Sequence, residues 1–133
     1  MPAHEVEEAI RHMLITAPPA LSVPDARVTF GYRLQFDALP AIVFNVTGIE
    51  TVGIGGSPHR VASVEFRAIA LEVADALDIV QEIRDKVDPG THNGVTFDAI
   101  LWENRVAEER AAELGDEQGP AVGLATAQFY YLE

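Results

Sequence analysis

The sequence predicts a single α+β domain over residues 1–133, a mainly antiparallel β-sheet with two helices packed on one of its faces. Two observations predict this class. Residues 60–87 change from strand-like alternation to helix-like periodicity without a break, and the other strands come in runs rather than in strict βαβ alternation. The length of 133 residues is typical of one domain. A chain of this size buries roughly two thirds of the surface that it exposes when unfolded. The expected order is helix, three strands, helix, two strands.

Residues 60–87 carry the clearest pattern. Apolar and charged residues first alternate with the period of two that a half-buried strand shows: Val64, Phe66, Ala68 and Ala70 against Glu65 and Arg67. Apolar residues then follow the i, i+3, i+4, i+7 spacing of an amphipathic helix: Val73, Ala76, Leu77, Val80, Ile83 and Val87. The opposite helix face is acidic, and Asp88, Pro89 and Gly90 end the helix.

Three elements are expected before this stretch. Residues 3–16 form an amphipathic helix with acids at its start and basic residues at its end, which the helix dipole favours. A short strand follows at residues 27–32, and Pro40 opens a second strand over residues 41–46, where its missing N–H costs no ladder bond. Residues 48–59 are rich in glycine and are expected to be a mobile loop or the tip of a long hairpin.

Two strands are expected after the second helix. Residues 90–94 are predicted to be a polar turn, and residues 95–103 alternate as a strand does. Residues 104–120 form an acidic, helix-prone connection, and residues 121–132 form the last strand. So long a connection inside a domain is usually functional or ordered by a partner. Function is therefore expected there and in the glycine-rich stretch, residues 48–59.

Composition excludes several classes of protein. The chain has no cysteine and a net charge of −12, so disulfides and thiolate metal sites are excluded and a protein that grips nucleic acid is disfavoured. No apolar run reaches the length of a membrane span, and the N-terminus lacks a signal peptide pattern. The protein is therefore expected to be made in a cytoplasm. The acidity is explained either by solubility or by a surface that lies near DNA without holding it.

The sequence carries no complete catalytic or metal-binding motif. The glycine-rich run at residues 53–57 lacks the lysine of a P-loop and leads into a strand instead of a helix. The four histidines lack the spacing of a metal site: His4, His12, His59 and His92. Nothing marks one acid as desolvated, which general acid or base chemistry requires. We therefore expect no enzyme and no catalytic, cofactor-binding or metal residues.

The order of elements and several local stretches resemble one known family. The stretches are the N-terminal helix, Leu39-Pro40 leading into Ala41-Ile42-Val43-Phe44, the strand Val61 to Ala70 running into the helix with Ala74, Leu77, Val80 and Ile83, the strand Val95 to Leu101, and the closing strand Gln128 to Tyr131. They resemble the tail terminator, or tail-completion, family of long-tailed bacteriophages and gene transfer agents. The longer residues 48–59 and 104–120 depart from that family's pattern.

The resemblance implies a structural role without enzymatic activity. Members of the family form a ring, typically a hexamer, that stops growth of the tail tube and joins the tail to the filled head. The implied partners are further copies of the chain, the tail tube protein and a head-completion, stopper or connector protein, with double-stranded DNA passing through and no membrane. The implied location is the tail or neck of the virion, assembled in the host cytoplasm.

Two sets of residues are predicted to take part in such a ring. The subunit or tail interface is expected to include Ile49, Glu50, Val52, Ile54, Arg60, Arg105, Glu108, Arg110 and Tyr130. The acidic lumen, or alternatively a plain solvent face, is expected to include Asp75, Asp78, Glu82 and Asp85. Two other functions stay open: another head-completion or connector ring protein, and a small α+β ligand-binding dimer.

Overall fold

The computed structural model describes residues 3–16, 21–31, 39–56, 58–103, 107–110 and 121–132, with the backbone alone for residues 3, 4 and 107–110. These residues form two helices and seven strands: α1 (Ala3–Thr16), β1 (Val28–Phe30), β2 (Ala41–Thr51), β3 (His59–Ala70), α2 (Val73–Lys86), β4 (Gly90–His92), β5 (Val95–Trp102), β6 (Ala107–Arg110) and β7 (Ala121–Leu132). A short 3₁₀ turn, Asp25–Arg27, precedes β1. The predicted α+β class is confirmed.

The strands form one sheet in the order β1-β2-β3-β7-β5-β4. Only β1 and β2 are parallel among the described strand pairs; the other pairs are antiparallel. β3 and β7 pair along their whole length, from His59 opposite Leu132 to Ala70 opposite Ala121. On its other edge, β7 pairs with β6 near its start and with β5 near its end. The two longest paired strands therefore form the centre of the sheet.

Both helices pack on the same face of this sheet. Their buried residues share one apolar cluster with every second residue of the central strands, among them Phe44, Phe66 and Phe129. Phe66 lies at the centre of this cluster, with its ring centroid 5.8 Å from that of Phe44 and 6.1 Å from that of Phe129. At the end of α2, the Arg84 guanidinium carbon lies 5.3 Å from the centroid of the Trp102 ring. The predicted packing on one face is confirmed.

The β2–β3 connection is shorter than residues 48–59. β2 continues to Thr51 after a register shift between Val46 and Gly48, and β3 already begins at His59. The prediction of a hairpin tip is therefore correct, but residues 48–51 and residue 59 belong to the strands. The shift at Gly48 lets β2 continue pairing, because a bulge absorbs one extra residue without ending the ladder.

Two further strands correct the predicted order of elements. Gly90–His92, predicted as part of a turn, forms β4 and pairs with β5. Asn93 and Gly94 make the turn, with positive φ angles of 48° and 83° that a two-residue hairpin loop requires. Ala107–Arg110, predicted within a helix-prone connection, forms β6 against β7. Tertiary pairing with β7 overrides the local helix propensity there.

Candidate interaction surfaces

The connection between β2 and β3, here called the hairpin tip, comprises residues 52–58, of which Ser57 lies outside the described residues. The N–H of Val52 donates to the carbonyl of His59 at 2.9 Å and closes the hairpin. Three glycines at the tip have positive φ angles, which glycine adopts without steric cost. They hold Ile54 almost wholly in solvent, at 97% exposure. The tip therefore presents a large apolar side chain beyond the edge of the sheet where β3 begins and β7 ends.

The sheet face turned away from both helices, here called the open face, is partly apolar. At one end, a second cluster buries Val43, Ile69 and Val122 against the half-buried Leu39 and Leu124. Toward the other end, apolar and polar side chains are both exposed: Leu101, Gln128 and Leu132, with Tyr130 half-buried. The open face is therefore buried near the end of β3 and accessible near the hairpin tip.

A surface cleft, here called the acidic cleft, lies where β3 passes into α2. Its volume is about 420 Å³, and its lining residues are Ser22, Leu39, Pro40, Ala70, Leu71, Asp75, Asp78, Ile79 and Glu82. Leu71 is 72% exposed although it directly follows the buried end of β3. The lining therefore combines apolar side chains with the carboxylates of one helix face.

Glu82 fixes one wall of the acidic cleft. Its carboxylate accepts hydrogen bonds from the N–H of Ser22 at 2.8 Å and from the Ser22 hydroxyl at 2.7 Å. This double contact joins the segment after α1 to the middle of α2, across 60 residues of sequence. Glu82 is half-buried, while Asp75, Asp78 and Asp85 are exposed. Asp85 instead accepts a hydrogen bond from the Gln81 side chain on the same helix at 2.8 Å.

The predicted interface residues fall in different surroundings. Ile49 is half-buried and packs against the main apolar cluster, so its side chain faces the helices. Glu50 is exposed beside the hairpin tip, and Val52 is half-buried within it. Arg60 is half-buried and its guanidinium donates to the His59 carbonyl at 3.1 Å. Tyr130 lies on the open face, where its hydroxyl donates to Gln128 Oε1 at 3.2 Å.

The remaining predicted interface residues belong to the connection before β7. Arg105 lies outside the described residues, and only the backbone of Glu108 and Arg110 is described, within β6. Tyr131, the next residue after Tyr130, is 1% exposed and belongs to the main cluster. Of the predicted interface residues, Val52, Ile54 and Arg60 therefore lie together at the hairpin end of the sheet, and Glu50 lies beside them.

The described residues form no cluster that is suited to a metal ion. Within these residues, no group of three or more histidines and acids is arranged to hold a metal ion, and no buried side-chain nitrogen or oxygen lacks a hydrogen-bond partner. No helix in the described part of the chain is long and apolar enough to cross a lipid bilayer. The surfaces described above are therefore the candidate functional features.

No protein-family model matches the sequence, and a comparison with curated proteins gives no significant match.

The acidic cleft is the feature that sequence reasoning missed. The acids of α2 were recognised as one helix face, but the apolar part of the lining comes from residues 39–40, 70–71 and 79. These segments are adjacent only because β2 and β3 are paired and α2 folds back over the end of β3. One local signal was available: Leu71 interrupts the transition from strand to helix with a large apolar residue where a polar one is common.

Proposed function

We propose that the chain is the subunit of a tail terminator ring, a structural virion protein that caps the tail tube and joins the tail to the head. The ring would be a homo-oligomer, typically a hexamer, in the neck of a long-tailed phage or gene transfer agent. Its partners are the tail tube protein and a head-completion, stopper or connector protein. The virion role rests on the family resemblance of the sequence.

The observation that carries the self-assembly part of the proposal is the position of the exposed apolar residues. Among the described residues, four large apolar side chains are exposed: Ile54, Leu71, Leu101 and Leu132. Ile54 and Leu132 lie near the hairpin tip, since Leu132 pairs with His59, and Leu71 lies at the acidic cleft. A closed ring uses heterologous contacts, so each subunit needs two different surfaces of this kind.

The charge of the chain supports passage of DNA through such a ring. Double-stranded DNA carries one negative charge per roughly 1.7 Å of its axis, and basic residues would retain it by releasing counterions. A subunit with a net charge of −12 offers little such affinity. The exposed acids of α2, among them Asp85, are candidates for a surface along which DNA slides.

The proposal is tested by assembly on tail tubes. Purified protein would be analysed by native mass spectrometry and negative-stain electron microscopy, alone and with tail tubes of the same virion. We expect a closed ring with more than two subunits, bound at tube ends, and tubes that no longer elongate. Persistence of a monomer at every concentration, with no density at tube ends, would contradict the proposal. Rings that bind connector-bearing heads but not tubes would instead assign the head-completion role.

The acidic cleft favours one function of a different class, a small ligand-binding dimer. Its volume of about 420 Å³ lies in the range of roughly 300–1,000 Å³ that small-molecule pockets occupy. A cationic metabolite would complement its carboxylates. This function predicts a dimer in native mass spectrometry and a higher melting temperature of the protein in the presence of a cationic metabolite. Neither result is expected if the protein acts only as a ring.

A further inference from the structure

We infer that copies of the chain associate head to tail, with Ile54 at the hairpin tip of one copy inserted into the acidic cleft of the next. The inference deepens the proposed ring by naming the contact between subunits, and it rests on the self-assembly part of that proposal. The argument depends on three properties of the two surfaces: their shape, their charge and their separation.

The shapes of the two surfaces match. Ile54 is 97% exposed and stands between Gly53 and Gly55, so its immediate neighbours have no side chains that would collide with the walls of a concave surface. The acidic cleft is concave, and the apolar part of its lining includes Leu39, Ala70 and Ile79. Leu71 adds a largely exposed side chain at its side. Insertion of Ile54 would remove apolar surface from water on both partners, which favours association.

The charges of the two surfaces allow them to come together. No acid occurs between Glu50 and Glu65, although the chain has 21 acids among its 133 residues. The hairpin tip, residues 52–58, carries no charged residue; the exposed Glu50 precedes it and Arg60 follows it at the start of β3. The cleft is lined by three carboxylates, those of Asp75, Asp78 and Glu82. Because a subunit of net charge −12 repels a second copy over most of its surface, an uncharged tip can approach the acidic cleft at a lower electrostatic cost than an acidic surface would.

The separation of the two surfaces excludes insertion within one copy. The hairpin tip precedes the first residue of β3, and the cleft lies at its last residue, Ala70. β3 has 12 residues and is roughly 40 Å long at about 3.3 Å per residue. The tip of one copy can therefore reach only the cleft of another. Each copy then uses two different surfaces, which is the heterologous contact that builds rings or filaments.

Cysteine cross-linking tests this contact directly, because the chain has no cysteine of its own. Single variants Ile54→Cys and Leu71→Cys would be mixed and oxidised mildly, and cross-linked dimers separated on denaturing gels. We expect the mixed dimer to form several times faster than either homodimer. The double variant should give a ladder of higher multimers. The control is a mixture of Ile54→Cys with Asp98→Cys, an exposed position of β5 away from the cleft. This pair should cross-link only at the background rate.

Substitution of Ile54 supplies a second measurement that leaves folding unchanged, because the side chain has almost no contact within its own subunit. Ile54→Asp places a carboxylate against the acidic cleft and should raise the concentration for half assembly about tenfold or more, since burial of the isoleucine is lost as well. Ile54→Lys should be less harmful. Equal assembly of both variants and the wild type, or equal cross-linking of the test and control pairs, would overturn the inference.

These outcomes separate the contact from the virion role. Rings that form on tail tubes with Ile54→Asp as readily as with the wild type would refute the contact and leave the tail terminator proposal intact. A cross-link between positions 54 and 71, in a protein that never binds tube ends, would support the contact and refute the tail role. Melting temperatures of all variants should equal that of the wild type, which checks that each one is folded.

Discussion

Gly123 in β7 shows how a single residue sets the distance between helix and sheet. A Cβ atom at this position would lie 2.8 Å from Val80 Cγ2 and 3.0 Å from the Ala76 carbonyl oxygen. The second contact is with backbone, which cannot rotate away as a side chain can. The absence of a side chain therefore lets α2 approach the centre of the sheet closely, and Val80 and Ala76 are both 1% exposed.

We expect Gly123→Ala to lower the free energy of unfolding by about 1–3 kcal/mol, the usual cost of overpacking a filled core. Urea denaturation would measure it. Gly48→Ala is the matched control, because a Cβ there meets nothing within 4 Å and its φ is not in the left-handed region. The control should lie within about 0.5 kcal/mol of the wild type. A neutral Gly123→Ala variant would show that α2 can move outward without loss.

At the same scale, alternation predicts burial where one side of a strand faces the helices. In β3, Val64, Phe66 and Ala68 are completely buried, while the Arg67 side chain is exposed and pairs with Glu65 at 2.6 Å. Strand alternation says nothing about Ile54, which is expected at the surface only because it lies in the glycine-rich stretch assigned to the interface. Its exposure depends on where the strands stop pairing, and hydrophobicity alone would have assigned this residue to the core.

At the scale of elements, two short strands escaped prediction for different reasons. The Asn93-Gly94 pair between residues 90–92 and 95–97 is a strong local signal for a two-residue hairpin loop. The prediction of a polar turn over residues 90–94 does not use this signal and therefore omits β4. β6 has no such signal, because its sequence, AEER, favours a helix. It becomes a strand through pairing with β7, a tertiary contact that local propensity does not contain. The long strands β3 and β7 were predictable because their patterns are long.

The contact of Glu82 with Ser22 is an element-scale link whose strength can be measured. We expect Glu82→Ala to lower the free energy of unfolding by about 1 kcal/mol, since it removes two hydrogen bonds to a charged acceptor at a largely exposed site. Asp85→Ala is the control, because Asp85 only accepts a bond from Gln81 one turn away on the same helix. Such pairs contribute about 0.2–0.5 kcal/mol.

Urea denaturation of both alanine variants decides the comparison. A larger loss for Glu82→Ala would show that the segment after α1 is held on α2 in solution, as the wall of the acidic cleft requires. Equal losses would mean that the Ser22 contact adds nothing to stability. The cleft itself lay beyond sequence reasoning, because its lining comes from segments around residues 22, 40, 71 and 79 that only the folded sheet brings together.

At the scale of the whole molecule, polar residues of α2 divide into two groups. Asp75, Asp78 and Glu82 line the acidic cleft, which the contact between copies would cover. Gln81 and Asp85 are exposed and do not line it. If α2 faces the lumen of a ring, positions 81 and 85 therefore remain accessible to DNA, and they can be changed without altering the cleft.

We expect Gln81→Lys with Asp85→Lys to slow release of DNA from assembled virions, since two lysines per subunit would bind phosphates in the channel and the effect would weaken as salt rises. One exchange adds one positive charge and the other adds two, so the net charge of −12 becomes −9. Ala26→Lys with Asp98→Lys makes the same change at exposed positions on other elements. DNA release would be followed by fluorescence of an intercalating dye. A slower release for the control pair alone would place another surface in the lumen, and unchanged release for both pairs would exclude positions 81 and 85 from it.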